Sequence, residues 1–477
     1  LSPVVLAALV ARVVAGDGNA PTQVAIVAAA AVIGLLVPSA VPRAITRITP
    51  VAQAPVALGW MFVLAANLIV LGDVARLFGL PRAVGLAAGL SLALGVIGWT
   101  AGDRWWRLAT PLGCAFVLLP LAFVVSTGGP PWTAWAGVAS RAALTFTETS
   151  AWVTQGRALG EQVTVTFREP HRVVAASPGT WRVVERDAAL VAVREWQLGH
   201  GDALTLRPGD ELLVDPGTRV RFEAGRRVPG APPSGIAWAD GADRPRLGTL
   251  LLSAGAVVTL VGGGVALAPG LPVAGAMAII APAVLLAFVL GAALWGLYGA
   301  ALVPELSLTP VAVAPLIEVL ARTAPPPWRP GLLGLVVLGV LALFIGVTLA
   351  WRARVFAVLT DGATALGHGP LSVRTRTAAV VVVLALATAL AVRGGDPWRL
   401  FGLGLGLAAA AVIAPRLAAT GPRGEAAGAV VGMLAFGTTL FGDAWGLPPM
   451  PGPLVEHPAT IAAPLAWLAA RLARRRA

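Results

Sequence analysis

Glu318 and Arg322 stand four residues apart in the stretch VPELSLTPVAVAPLIEVLART (303–323), with Glu305 near its start, in a chain otherwise poor in charge. Ionisable groups among apolar neighbours are where chemistry is first sought. A charge held at the centre of a bilayer costs at least ~2.5–3.5 kcal/mol, so it persists where it moves a proton or cation, or where it is paired. Both outcomes are open for Glu318: it lines a polar path, or it closes an i,i+4 ion pair with Arg322. Asn67 is the one strongly polar side chain in the middle of its own apolar run. It either joins such a path or hydrogen-bonds a neighbouring helix.

Other chemistry finds little footing. The chain holds no GxSxG, HExxH, Walker A or strand-to-helix dinucleotide fingerprint, which are the spacings that soluble catalysis would need. His171, His200, His368 and His457 are too scattered for a triad, and no carboxylate follows them at a ligand spacing. Cys114 is the only cysteine and lies in an apolar run, which excludes a disulfide framework, a CxxC pair and a CxxCH haem attachment. No metal or cofactor is expected, and an enzyme ranks behind a binding or transport role.

The elements that would position these side chains are set by composition. With 57% hydrophobic residues, 12% charged and a mean hydropathy of +0.81, the chain cannot hide its apolar surface in one soluble core, and it needs lipid. Apolar runs of about 20 residues span a ~30 Å hydrocarbon layer. The spans expected on that basis are 23–40, 53–72, 82–100, 108–127, 248–268, 272–302, 330–351, 377–393, 398–415, 425–441 and 458–471. The expected fold is therefore a polytopic α-helical membrane protein of about eleven spans with an inserted small all-β domain. Trp99, Trp105, Trp106, Trp328, Trp351, Trp398 and Trp445 fall near run ends, where the headgroup layer suits an amphipathic ring. The segment 303–323, broken by Pro304, Pro310 and Pro315, is either re-entrant or an interfacial helix. Gly424, Gly428 and Gly432 repeat on one helical face, as close helix packing requires. The first 14 residues read as the tail of a helix.

Four regions follow. Residues 1–127 hold about four spans, 128–159 a linker or amphipathic segment, 160–246 a β module, and 247–477 about seven spans. From Val163 the period changes from helical to two, and Pro178-Gly179, Pro208-Gly209-Asp210 and Pro216-Gly217-Thr218 supply turns. Five to seven short strands in a barrel or sandwich are expected, and LRPGDELLVDPGTRVRFEAGRR (206–227) reads as strand, turn and strand. The strand-turn repetition resembles cupin-like jelly rolls, many of which bind metal, but the ligands for that are missing. Arg226 and Arg227 are a candidate docking spot for an anionic partner, although a solvated face explains them as well.

The net charge of +12 does not point to nucleic acid, because residues 150–247 carry 13 Arg against 12 Asp and Glu. The excess sits in short arginine-bearing loops, which orient membrane proteins with those loops in the cytoplasm. Arg471, Arg474, Arg475 and Arg476 place the C-terminus there, and the pairs Arg43/Arg47 and Arg104/Arg107 agree, with Arg393 and Arg399 dissenting. Both ends of the chain then put the β module outside an inner membrane, provided 303–323 does not cross. Two functions fit. The first is a permease-like transporter of a small solute, its path marked by Glu305, Glu318, Arg322 and Asn67. The second is a non-catalytic scaffold or assembly subunit whose β module binds a partner protein. Haem-handling assembly proteins are similar in layout, but PPWTAWAG at 130–137 lacks the acid of their WxWD signature.

Overall fold

The computed structural model describes residues 2–14, 50–98, 104–139, 150–153, 163–166, 170–187, 190–207, 210–215, 218–222, 259–260, 277–303, 313–365, 372–394, 396–418, 421–442, 454–455 and 457–475. Among them seven helices, rather than the expected eleven, are long and apolar enough to cross a membrane. These are α2 (Pro50–Leu77), α4 (Arg104–Gly128), α6 (Met277–Leu302), α8 (Arg329–Ala365), α9 (Val373–Arg393), α10 (Pro397–Ala418) and α11 (Pro422–Phe441). The expected spans 82–100 and 458–471 form shorter apolar helices, α3 (Arg82–Gly98) and α12 (Ala459–Arg475). The spans at 23–40 and, but for Thr259 and Leu260, at 248–268 lie outside the described residues. Three further short helices are α1 (Pro3–Val14), α5 (Pro131–Ala139) and α7 (Ala314–Thr323).

Glycines set how closely the helices approach and in which direction they run. The hairpin of α2 and α3 turns at Gly79, whose φ of +75° is the left-handed conformation that ends a helix. A Cβ at Gly85 would strike the Leu71 carbonyl, and one at Gly89 the Leu68 side chain, so α3 runs back along α2. Gly113 meets Leu343, and Gly346 meets Thr110, which makes α4 and α8 antiparallel. Gly291 lies on Leu118, while the Tyr298 hydroxyl donates to the Gly129 carbonyl just past α4, so α6 is parallel to α4. Gly404 packs on Gly59, and Gly428 on Ala466, bringing α10 against α2 and α11 against α12. The α2 helix, apolar around its whole circumference, is the central one, as such a pattern requires. Within α10 one π turn, Ala409–Ile413, precedes Pro415, whose missing N–H disrupts the regular ladder at that level.

These directions give the bundle two ends. One end carries the C-termini of α2, α4 and α6 with the N-termini of α3 and α8. The other carries the N-termini of α4 and α9 with the C-termini of α3, α8 and α12. Helix α7 packs on α6 and α8 at the first end, where Gly299 meets Pro315 and Arg329 donates to the Ala324 carbonyl. The chain therefore leaves α6 and enters α8 on one side, with α7 between them. Trp351 is fully buried inside the bundle, unlike the headgroup anchor expected there, whereas Trp328 is exposed at a helix start.

Among the described residues the β module has eight strands, against the five to seven expected: β1 (Ser150–Val153), β2 (Val163–Thr166), β3 (His171–Ala175), β4 (Gly179–Asp187), β5 (Leu190–Leu198), β6 (Ala203–Leu206), β7 (Glu211–Val214) and β8 (Arg219–Phe222). They form two antiparallel sheets, ordered β1-β8-β3-β6 and β2-β7-β4-β5, which is the strand order of a double-sheet jelly roll. The module begins earlier than expected, since β1 falls in the presumed linker and pairs with β8. Alternate residues Val173, Ala175, Trp181, Val183, Leu212, Val214 and Val220 fill its interior. Two turns close where the sequence puts them: the Asp210 carboxylate accepts from Arg207 N at 2.7 Å, and Thr218 N donates to the Asp215 carbonyl. Pro178-Gly179 is different, because Gly179 opens β4 and the positive φ in this region belongs to Gly201.

Candidate functional site

Among the described residues, the charged groups of the bundle are gathered at its two ends, while Asn67 lies between them. Asn67 sits deep in α2 and is fully buried. Its Oδ1 accepts from Val4 N in the first turn of α1 at 3.4 Å, and its Nδ2 donates to the Val63 carbonyl at 2.7 Å. One amide thus ties an orphan donor of a helix start to the central helix. Glu318 is half-buried and Arg322 exposed on α7, a turn from the end of α6, away from mid-bundle. No ion pair joins the two among the described residues. Glu305, Arg226 and Arg227 lie outside the described residues.

The glycine stripe lies where two helices touch. A Cβ at Gly428 would come within 2.7 Å of the Ala466 carbonyl oxygen, and one at Gly432 within 2.7 Å of that of Ala410. Gly424 is buried on the same helix.

Sequence reading passed over three charged groupings that the fold assembles. Asp73, near the end of α2, faces Arg82 at the start of α3 with Nε to Oδ1 at 3.8 Å. Arg416 of α10 and Glu425 of α11 meet at 3.7 Å, the arginine side chain only 4% exposed. The third centres on Phe356 of α8, whose ring carries the Arg352 guanidinium at 5.4 Å and that of Arg376 from α9 at 5.5 Å. Arg352 also donates to the Val96 carbonyl at 2.8 Å, closing the C-terminus of α3. Each grouping joins two helices, Arg352 and Phe356 alone sharing one, so no spacing within one run could reveal the whole of it. The available signal was charge at the edge of an apolar run.

The ends differ in charge. Among the described residues, the end opposite α5 has Arg104 and Arg107 (α4), Arg352 and Arg354 (α8), Arg374 and Arg376 (α9), Arg416 (α10), Arg423 (α11), and Arg471, Arg474 and Arg475 (α12), eleven arginines against Asp361 and Glu425. The end from which the chain continues through α5 toward the module has, among the described residues, seven arginines, Arg12, Arg76, Arg82, Arg322, Arg329, Arg393 and Arg399, against Asp73, Glu318 and Asp396. The dissenting pair Arg393 and Arg399 belongs to this second end.

In the β module, His171 is buried and His200 Nδ1 lies 3.1 Å from the Ala176 carbonyl. Among the described residues no three His, Cys, Asp or Glu converge as metal ligands would. The module's most open feature is β5, which pairs with β4 alone among the described strands. Both faces of Ala192–Gln197 are exposed, with Val193 at 63% and Trp196 at 40%. Ion pairs Arg182–Glu195 at 3.5 Å and Arg194–Glu185 at 3.4 Å brace the hairpin, one on each face.

No protein-family model matches the chain, and no curated protein matches it.

Proposed function

We propose that the chain is a multi-pass anchor of a bacterial inner membrane that holds its jelly-roll module outside the cytoplasm, where the module receives a protein partner along β5. The observation that carries this reading is the sorting of arginines to the end of the bundle opposite the one from which the chain leaves for the module. Arginine-rich ends stay in the cytoplasm, so the module end faces out. The C-terminus, at the end of α12, is then cytoplasmic.

A scaffold role draws further support from the interior of the bundle. The polar side chain deepest within it, Asn67, spends both ends of its amide on helix backbone, and Glu318 sits at an end. The interior of the module is filled with aliphatic side chains and Trp181, leaving its outer surface as the part offered for recognition. An unpaired edge strand invites an extended segment of another protein to add to the sheet. A photo-crosslinking residue at Trp196 tests this in intact cells. A discrete adduct lost on Val193→Lys is expected, and the absence of any adduct, or an adduct indifferent to that change, would refute the edge as the contact.

The permease-like alternative draws on Asp73, whose side chain is only 14% exposed at the end of the central helix. It requires that Asp73→Asn alter solute or proton flux in reconstituted vesicles while the protein stays folded.

A further inference from the structure

We propose that the cleft between α8 and α9 at the arginine-rich end binds the phosphate of an anionic phospholipid, with Arg376 and Arg374 as the principal contacts. Helix α8 is 37 residues long, about 55 Å at 1.5 Å per residue, which exceeds a ~30 Å hydrocarbon layer. Counting from Arg329 at the opposite end, Arg352 lies about 35 Å along the axis, at the level where acyl chains give way to headgroups. Here Phe356 holds two guanidiniums from two helices on one ring, Arg352 at 5.4 Å and Arg376 at 5.5 Å. The Nε of Arg376 is buried and makes no hydrogen bond among the described residues. Arg374 is exposed in the same first turn of α9, where Ser372 caps the helix by accepting from Thr375 N and the positive end of the helix dipole adds to the field. A phosphodiester is the ligand that such a set fits: it accepts hydrogen bonds from planar guanidiniums, and the Arg376 Nε has no acceptor among the described residues.

Lipid is favoured over a free anion by what continues below the arginines. Although α8 and α9 are consecutive and antiparallel, α9 packs chiefly on α2 and α3, so no described helix covers its outer face alongside α8. Val382 and Leu386 on α9 are exposed four residues apart on one face, and they offer an apolar track for the chains of a lipid whose headgroup sits at Arg376. Basic clefts between helices on the cytoplasmic side are the setting in which anionic lipids are held.

The test uses the full chain purified in detergent. Phosphatidylglycerol and phosphatidylcholine are titrated in parallel, with bound lipid read by native mass spectrometry and stability by thermal unfolding. At least tenfold preference for phosphatidylglycerol and a rise in unfolding temperature are expected. Both effects should fall in Arg374→Gln, which is exposed and leaves the fold intact, fall further in Arg376→Gln, and persist in Arg399→Gln at the opposite end. Equal retention of the two lipids, or unchanged preference in Arg374→Gln and Arg376→Gln, would overturn the proposal. So would equal protection by inorganic phosphate or glycerol phosphate, which would make this a site for a soluble anion.

Discussion

At the scale of single residues, the buried charges decide most. Arg416 is almost wholly enclosed, so neutralising Glu425 takes away a charge that offsets a cation shielded from water, rather than merely one contact. Glu425→Gln should cost about 3–5 kcal/mol, whereas the double change with Arg416→Met, which removes both charges, should recover most of that loss. Thermal unfolding of the four proteins in detergent measures the cycle, and additive losses would show that the two residues act independently. Asn67 makes a sharper comparison, because its amide already satisfies α1 and Val63. Asn67→Asp places a charge in that apolar setting and should destabilise by several kcal/mol, while Asn67→Leu should cost about 1–3 kcal/mol, the penalty of an unmatched helix donor. Equal losses in the two variants would contradict the burial of this side chain. Asn67 stood out in the sequence because its neighbours are uniformly apolar. Asp73 did not: the apolar run fades just there, and Arg82 approaches it only once Gly79 and Gly85 have folded α3 back onto α2.

At the scale of elements, glycine marks where helices touch, and the effect of filling it should depend on place. Gly428→Val and Gly432→Val press side chains into Ala466 and Ala410 and should cost about 1–3 kcal/mol or more. Gly95→Ala and Gly334→Ala meet nothing within 4 Å and should leave stability unchanged or raise it by up to about 1 kcal/mol. The same unfolding assay separates the two pairs, and similar losses at all four positions would argue against the packing described. Helices were the most legible elements because apolar length alone reveals them; of the four expected spans beyond the seven, two form the 17-residue helices α3 and α12, shorter than the spanning helices, and two fall almost wholly outside the described residues. Strands were legible by alternation from Val163 onward, but β1 was missed. Four residues, Ser150–Val153, are too few to show a period, and the strand exists because β8 lies ready to pair with it. Likewise Pro178-Gly179 reads as a turn, yet pairing with Leu198 draws Gly179 into β4.

At the scale of the whole molecule, the account rests on which way the bundle faces. Sequence counting left the matter conditional on 303–323, since a segment with three prolines and two carboxylates gives no reliable sign of crossing. Packing removes the condition, because α6 ends and α8 begins on one side with α7 lying between them. What counting could not supply was the grouping of arginines from α4, α8, α9, α10, α11 and α12 at one end, which depends on helix direction and on which helices are neighbours. Cys114 is buried, so introduced cysteines can report side without interference. The decisive measurement is labelling of intact cells by an impermeant thiol reagent in two variants, Asp215→Cys between β7 and β8 and Arg423→Cys at the start of α11. The account predicts that the first reacts in intact cells and the second only after permeabilisation. The reverse pattern, or reaction of both positions from the same side, would contradict it.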